Sequence, residues 1–372
     1  MSLNIPALTG GGSAVGFARE AAWGTPSVGA AANPSKPFGS AGHPAHFMAI
    51  KEETFEPKVD ANPQLDDLDQ NREISRVIAN GNSLDGSVRC NIGPESIGWF
   101  LTMLFGTPDT STLLDSSGAY DAAYQHVWIP GKTTGGAAQA RDAWPAPFSF
   151  ESRLDTVKSK LIMGALTKRL GLDIPNNSPA MLTADFLAKA IQILTTASGG
   201  TDDGGVALPC MLTGSPTFIE ETEWHWKQIK STLPQLDGAD AASITAISYD
   251  LAFPDIHGIF TGGSGQDIGS YGVDKFQAGG RVTMLFEDEA FFYKIRDGLY
   301  FSSELELVGA TIQGASTYSL KIEIPSALAA QPGLPNKVGD LQYDFAWNAR
   351  KDPTLGYSIK ITAINTVADY SL

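Results

Sequence analysis

The chain has 372 residues, which is enough for one large domain or two domains of ordinary size. Hydrophobic residues make up 42% and charged residues 18%, a balance that excludes disorder over most of the chain. The formal net charge of -15 argues against nucleic-acid binding, because an acidic surface repels phosphate groups.

The N-terminal region, residues 1–45, is rich in Gly, Ala, Ser and Pro and has no helical or strand periodicity, so it predicts an extended arm. Its isolated aromatic side chains, such as Phe17 and Trp23, favour docking of the arm over exposure to water. A locally packed loop is the alternative. The region lacks the features of a secretory signal, which predicts synthesis and use in a cytoplasm.

Alternating apolar and polar residues predict β-strands from about Lys51 onward. Because one face of each alternating run is polar, the pattern is typical of antiparallel sheets buried on one side. The sequence therefore predicts a mainly β fold with short helices. The period-two runs lie at 148–150, 157–163, 247–253, 305–307, 318–324, 341–347 and 357–361.

Two short helices are predicted, each directly after a strand pattern. The first begins near Pro94 and ends at Gly106, and the second follows Asp288 and ends at Gly298. With an offset of 194 residues (280 minus 86), the segment that begins at Gly86 aligns with the segment that begins at Gly280. The offset predicts a duplicated strand–helix module. Chance similarity of two generic units is the alternative.

A third helix is predicted over 182–194, because Leu182, Phe186 and Ile191 recur at helical spacing after a Ser178-Pro179 start signal. The stretches 198–205 and 261–280 are rich in Gly, Asp and Ser and predict long mobile loops. The chain is thus divided into four parts: an arm (1–45), a first β module (46–177), a helical and Gly-rich connector (178–215) and a second β module (216–372).

Catalytic motifs are weak in this sequence. The phosphate-loop pattern is absent, and the five histidines are scattered singly. Cys90 and Cys210 have no spacing typical of a zinc site or a disulfide framework, which predicts that both are reduced and buried. We therefore predict no enzymatic activity, no cofactor and no metal site.

The best candidate for a ligand site is a predicted strand at 221–226. Glu221, Glu223 and His225 share one face of it, as metal ligands would, and Trp224 and Trp226 share the other. An ordinary half-buried strand with inward tryptophans explains the same pattern.

A series of short segments follows a recognisable order along the chain: 16–25, 86–88, 94–101, 105–106, 124–126, 148–150, 280–282 and 286–288. This layout resembles the tail tube proteins of long-tailed (siphovirus-like) bacteriophages, in particular the larger type with two tube-like halves. The resemblance implies duplicated β-sandwich modules, flanked by helices, whose long hairpins join those of neighbouring subunits and close an intersubunit β-barrel around a lumen. The region 178–205 departs from a compact tube domain.

A structural role in the virion tail is what the resemblance implies, with stacked rings forming the conduit for genome ejection after assembly in the host bacterial cytoplasm. Expected partners are further copies of the chain, three per ring if the duplication is real and six if it is not, and the tape measure, tail terminator and distal tail proteins. DNA would pass through the lumen without specific binding, and no membrane is involved. The predicted assembly residues are Phe17, Trp23, Phe38, Asp267, Tyr271, Lys275 and Phe276.

Two rival functions remain open at this point. A carbohydrate-binding or adhesive β-protein of a virion tail tip would use exposed tryptophans such as Trp224 and Trp226. A metal-dependent hydrolase would use Glu221, Glu223 and His225.

Overall fold

The computed structural model describes residues 14–20, 23, 46–63, 77–114, 120–132, 145–153, 158–176, 178–195, 235–240, 243–260, 268–285, 289–329 and 342–370. Within these residues the chain forms antiparallel sheets with short helices, which confirms the predicted fold class. The sheets do not close into a barrel within the described part of one chain. No described helix is both long and apolar enough to span a membrane.

The first half of the chain contains strands and one helix. In chain order these are β1 (Ala14–Arg19), β2 (His46–Ala49), β3 (Glu52–Glu53), β4 (Glu56–Pro63), β5 (Val77–Asn91), α1 (Ser96–Phe105), β6 (Asp109–Leu114), β7 (Tyr120–Trp128), β8 (Phe148–Arg153), β9 (Lys158–Pro175), β10 (Met181–Ala188) and β11 (Ala190–Thr195).

The second half of the chain also contains strands and one helix. It contains β12 (Gln235–Leu236), β13 (Ala239–Asp240), β14 (Ile244–Ala252), β15 (His257–Phe260), β16 (Ile268–Gly272), β17 (Gln277–Leu285), α2 (Glu289–Arg296), β18 (Phe301–Gln313), β19 (Ser316–Ala329), β20 (Gln342–Ala349) and β21 (Lys360–Asn365).

One continuous sheet, which we call the inner sheet, runs through both halves in the order β5–β10–β9–β14–β17–β20, with β3 and β4 on the far side of β5. A second sheet, the outer sheet, has the order β6–β7–β21–β19–β18–β12–β13. The outer sheet therefore takes strands from both halves, because β7 pairs with β21.

Strand β9 bends and belongs to two sheets. Its first part pairs with β8 and β11 in a small sheet that also contains β1 and β2, whereas its second part pairs with β10 and β14. Gly164 lies near the change of sheet and has a positive φ of 67°. The carboxylate of Glu20, which is buried, accepts a hydrogen bond from the Gly164 N–H at 2.7 Å and so fixes the bend.

The core lies between the inner sheet and the layers that cover it. In the first half, Phe55, Phe150 and Phe186 form an aromatic cluster with ring centroids 4.9–5.8 Å apart. In the second half, Phe301 of the outer sheet packs edge-to-face on Phe345 of the inner sheet at 6.0 Å. The inner sheet therefore has one buried face and one open face.

The second half repeats the strand register of the first at the predicted offset. Glu53 pairs with Val88 in the first half, and Ile247 pairs with Val282 in the second. Both partners are displaced by 194 residues (247 minus 53, 282 minus 88). Glu56–Asp85 and Asp250–Gly279 correspond in the same way. Chance similarity of two strand–helix units does not explain a shared register, so these pairs support a structural repeat.

The two aligned glycines have the same packing function. A side chain at Gly86 would clash with the ring of Phe55, and one at Gly280 would clash with the ring of Trp347 and the Ser248 carbonyl. In both halves a glycine thus lets an aromatic ring lie directly on the strand.

The predicted helix over 182–194 is wrong, because the chain forms β10 and β11 there. Leu182, Ala184 and Phe186 are buried and alternate with the more exposed Thr183 and Asp185, which is a strand pattern. Because β5 and β9 pair with β10 on both sides, the tertiary context favours a strand over the local helical spacing.

Two further segments contain strands that the sequence pattern did not predict. Part of the N-terminal arm, 14–19, forms a strand that pairs with both β2 and β8, although the sequence of the arm has no strand periodicity. Part of the predicted loop at 261–280 is also ordered, since Ile268–Gly272 forms β16 and β17 begins at Gln277. Both module helices are confirmed, and every predicted strand run overlaps an observed strand. Phe253 follows β14, Tyr357 and Ile359 precede β21, and residues 157 and 341 lie outside the described residues.

Candidate assembly surfaces

The inner sheet has a polar face and an apolar face, set by rows of side chains that lie side by side across the strands. One polar row contains Arg89, Thr183, Gly171, Asp250, Gly279 and Asn348. The next row, on the opposite face, contains Cys90, Leu182, Leu172, Tyr249, Gly280 and Trp347. Every non-glycine side chain of the second row is buried, whereas all residues of the first row except Arg89 line a concavity of about 680 Å³.

Charged groups on the polar face form a local network. Arg169 donates to Asp250 at 2.7 Å and lies 3.5 Å from Asp185. The hydrogen bond to Asp250 raises the pKa of the Arg169 guanidinium above its ordinary value. Asp173 and Arg281 are exposed on the same face. The face therefore carries charges of both signs that pair with each other.

Among the described residues, the inner sheet ends in one edge that has no second strand and in another that has a second strand over only part of its length. At one end, β3 and β4 pair only with β5. At the other end, β20 pairs along its length with β17 and contacts β19 only through Trp347–Ala349. Exposed strand edges are templates for pairing with another chain.

These two edges correspond to a junction inside the chain. Strand β9 lies between β10, which pairs with β5, and β14, which pairs with β17. With the 194-residue offset, β3–β4 corresponds to β14. In position, β20 corresponds to β10, because β20 lies beside β17 as β10 lies beside β5. The two open edges are thus the counterparts of the two edges that β9 joins.

Two of the predicted assembly residues contact each other. Trp23 donates its indole N–H to the Gly164 carbonyl at 2.7 Å, and its ring lies edge-to-face on Tyr271 at 5.0 Å. Lys189 lies 5.1 Å from the centre of the Trp23 ring. This arm residue therefore docks on the bend of β9 and on β16 of its own chain.

The remaining predicted assembly residues are dispersed. Phe17 is buried against Trp99, at 5.7 Å between ring centroids, and Phe276 packs against Phe105 at 5.2 Å. Lys275 is exposed, and Phe38 and Asp267 lie outside the described residues. The assembly role of all seven residues stays a prediction.

The alternative chemical sites have no support among the described residues. The segment with Glu221, Glu223, Trp224, His225 and Trp226 lies outside them. In the part that is described, no cluster of His, Cys, Asp and Glu has metal-binding geometry. Cys90 is buried, as predicted, and Cys210 lies outside the described residues.

His126 is a structural histidine. It is fully buried; Nδ1 accepts from the Thr110 hydroxyl at 2.9 Å and Nε2–H donates to the Val367 carbonyl at 2.8 Å. Both ring nitrogens are thus engaged by a neutral imidazole, and burial lowers its pKa. The residue joins β7 to the C-terminal segment and reaches no open cleft.

Sequence reasoning missed the polar face and the two open edges. The alternation of Arg169, Gly171 and Asp173 along β9 was a readable signal for the face. The edges had no such signal, because the neighbour of a strand is not encoded in its own residues.

Comparison with known proteins agrees with this architecture. The family model described as phage tail tube protein matches residues 10–349 of the chain. No curated protein matches the chain significantly. This match over nearly the whole length identifies a structural component of the virion tail, and the antiparallel sheets are compatible with it. The chain belongs to the phage tail tube protein family.

Proposed function

We propose that copies of this chain join through their open inner-sheet edges into closed rings and that these rings stack into the tube through which the genome leaves the virion. The edge of β20 in one copy and the edge of β3–β4 in the next form the junction. Each ring contains three chains, because two repeated modules per chain give sixfold pseudo-symmetry.

The observation that carries this proposal is the correspondence between the open edges and the β9 junction. Inside one chain, β9 joins the strands equivalent to these edges and makes the sheet continuous. Assembly extends that sheet from one copy to the next and provides hydrogen-bond partners for strand amides that water otherwise solvates.

The polar face of the inner sheet lines the lumen in this arrangement. The outer sheet and α1 cover the opposite face, so only the polar face is available to the channel. The three arginines named on this face are balanced by three aspartates, so the face carries no excess of positive charge that would bind DNA phosphates. DNA then slides without specific contacts.

Electron microscopy of the concentrated full-length chain, combined with hydrogen exchange, tests the proposal. We expect rings or tubes. The amides of β20 at 342–346 and of β3–β4 at 52–58 become protected on assembly. The amides of β14 are the internal control, because β9 and β17 already pair with that strand in the isolated subunit.

Two results would contradict this function. A chain that stays monomeric at high concentration, with its β14 amides protected, does not form a tube. Tubes in which both edges exchange as fast as in the subunit would place the junction elsewhere.

A further inference from the structure

The second half of the chain exposes an apolar surface next to the open edge of β20. We call it the α2 face. Tyr300 directly precedes β18 and Leu328 lies on β19, each one residue from the antiparallel pair Phe301–Ala327. The α2 face consists of Tyr293, Leu299, Tyr300 and Leu328, which are 42%, 54%, 44% and 39% exposed.

The counterpart of the α2 face in the first half is buried. Trp99 corresponds to Tyr293 at the 194-residue offset and is only 1% exposed, and Phe105 corresponds to Leu299 and is 2% exposed. All residues of α1 are buried. The same position in the repeat is thus enclosed once and exposed once.

The groups that enclose α1 include residues from the half of the chain that follows it. Tyr370 packs edge-to-face on Trp99 at 5.0 Å and donates its hydroxyl to the Glu95 carbonyl at 2.7 Å. Asn365 donates to the Pro94 carbonyl at 3.0 Å. In a ring, the half that follows α2 is the first half of the next copy.

The position and the charge of the α2 face fit that neighbour. Leu328 pairs with Asn348 of β20, so the face is continuous with the proposed junction. Arg350 stacks on Tyr300 at 3.7 Å, and Arg296, which also pairs with Asp297, stacks on Tyr293 at 4.6 Å, so two arginines border the face. The opposite open edge exposes Glu52 and Glu56. Tyrosine and arginine are also the side chains enriched in protein interfaces.

We propose that the α2 face is a lateral docking site for the first half of a second copy of this chain. The inference rests on the proposed tube function and adds the surface and the partner. Docking encloses α2 between two copies as the chain itself encloses α1, and the glutamates of β3–β4 approach the two arginines that border the face.

A surface variant tests the docking. In the full-length chain we change Tyr293→Ser and Leu299→Ser together, with Leu114→Ser and Leu355→Ser as the matched control, since Leu114 and Leu355 are 57% and 50% exposed outside the face. The assembly concentration, measured by sedimentation, should rise roughly tenfold or more for the first variant and less than about twofold for the control. Equal shifts in the two variants would overturn the inference.

A labelling experiment identifies the occupant. In Leu299→Cys, a maleimide should react above the parent background in the dilute subunit and become blocked in the assembled ring. A thiol already blocked in the subunit would mean that another segment of the same chain covers the face, and a thiol that stays reactive in rings would mean that no copy docks there. Both results overturn the docking inference while leaving ring formation intact, whereas failure of the unmodified chain to assemble would overturn the tube function.

Discussion

The repeated module gives two helices with the same position in the fold and different surroundings. Helix α1 has the sequence SIGWFLTMLF and is buried on all sides, whereas α2 has the sequence EAFFYKIR and leaves Tyr293 and Arg296 exposed. A helix that is apolar all round needs cover from every direction within the subunit. A helix with charged residues on one face can leave that face exposed to solvent. The difference indicates that the module is completed inside the chain at α1 and left for a partner at α2.

The largest expected effect comes from the equivalent aromatic residues of the two helices. In the isolated subunit, Trp99→Ala should lower the free energy of unfolding by about 3–5 kcal/mol, because it leaves a cavity between Phe17 and Tyr370. Tyr293→Ala should cost about 1 kcal/mol or less, because the ring is 42% exposed. Urea denaturation of the monomer measures both. Equal losses would mean that the helices are equally enclosed.

The strands that define this comparison were only partly predictable. The sequence predicts strand β14 correctly, because the apolar residues Ile247, Tyr249 and Leu251 lie at every second position. The sequence predicts a helix at strand β10, because the apolar residues there also fit helical spacing. The strand forms because β10 pairs with β5 on one side and β9 on the other, and this pairing is not visible in the local sequence. The alignment of Trp99 with Tyr293 was predicted from sequence. Their different burial was not, because it depends on residues such as Tyr370 that lie far along the chain.

The second prediction concerns the glycines that the repeat places under aromatic rings. Gly280→Ala should destabilise the subunit by roughly 1–3 kcal/mol, since the new methyl group clashes with Trp347 and the Ser248 carbonyl. Gly86→Ala should behave alike, because the methyl group clashes with Phe55. The control is Gly171→Ala on the polar face, where the nearest atom would lie at an ordinary 3.7 Å. A control as unstable as Gly280→Ala in thermal denaturation would contradict the packing argument.

The third prediction concerns how the stability of the subunit depends on pH through the buried His126. Burial lowers the pKa of His126 below its unfolded value near 6.5, although the Val367 carbonyl and Asp369 oppose the shift. The unfolded state therefore binds more protons as pH falls below about 6.5, and stability decreases there by at most about 1.4 kcal/mol per pH unit. His126→Gln should remove this part of the pH dependence. The control His257→Gln, at an exposed site, should retain it in urea unfolding at pH 5 and pH 7.5.

The smallest expected effect concerns the arginine that stacks on the α2 face. Arg350→Gln removes the guanidinium from the Tyr300 ring and its hydrogen bond to Ser326, at 3.1 Å, and should cost the isolated subunit about 0.5–1 kcal/mol. The loss is small because the pair is exposed and water replaces both contacts. Urea denaturation at low and high salt measures it. A loss as large as that of Trp99→Ala would show that the α2 face stabilises the subunit itself, and the contrast between an enclosed α1 and an exposed α2 would then fail.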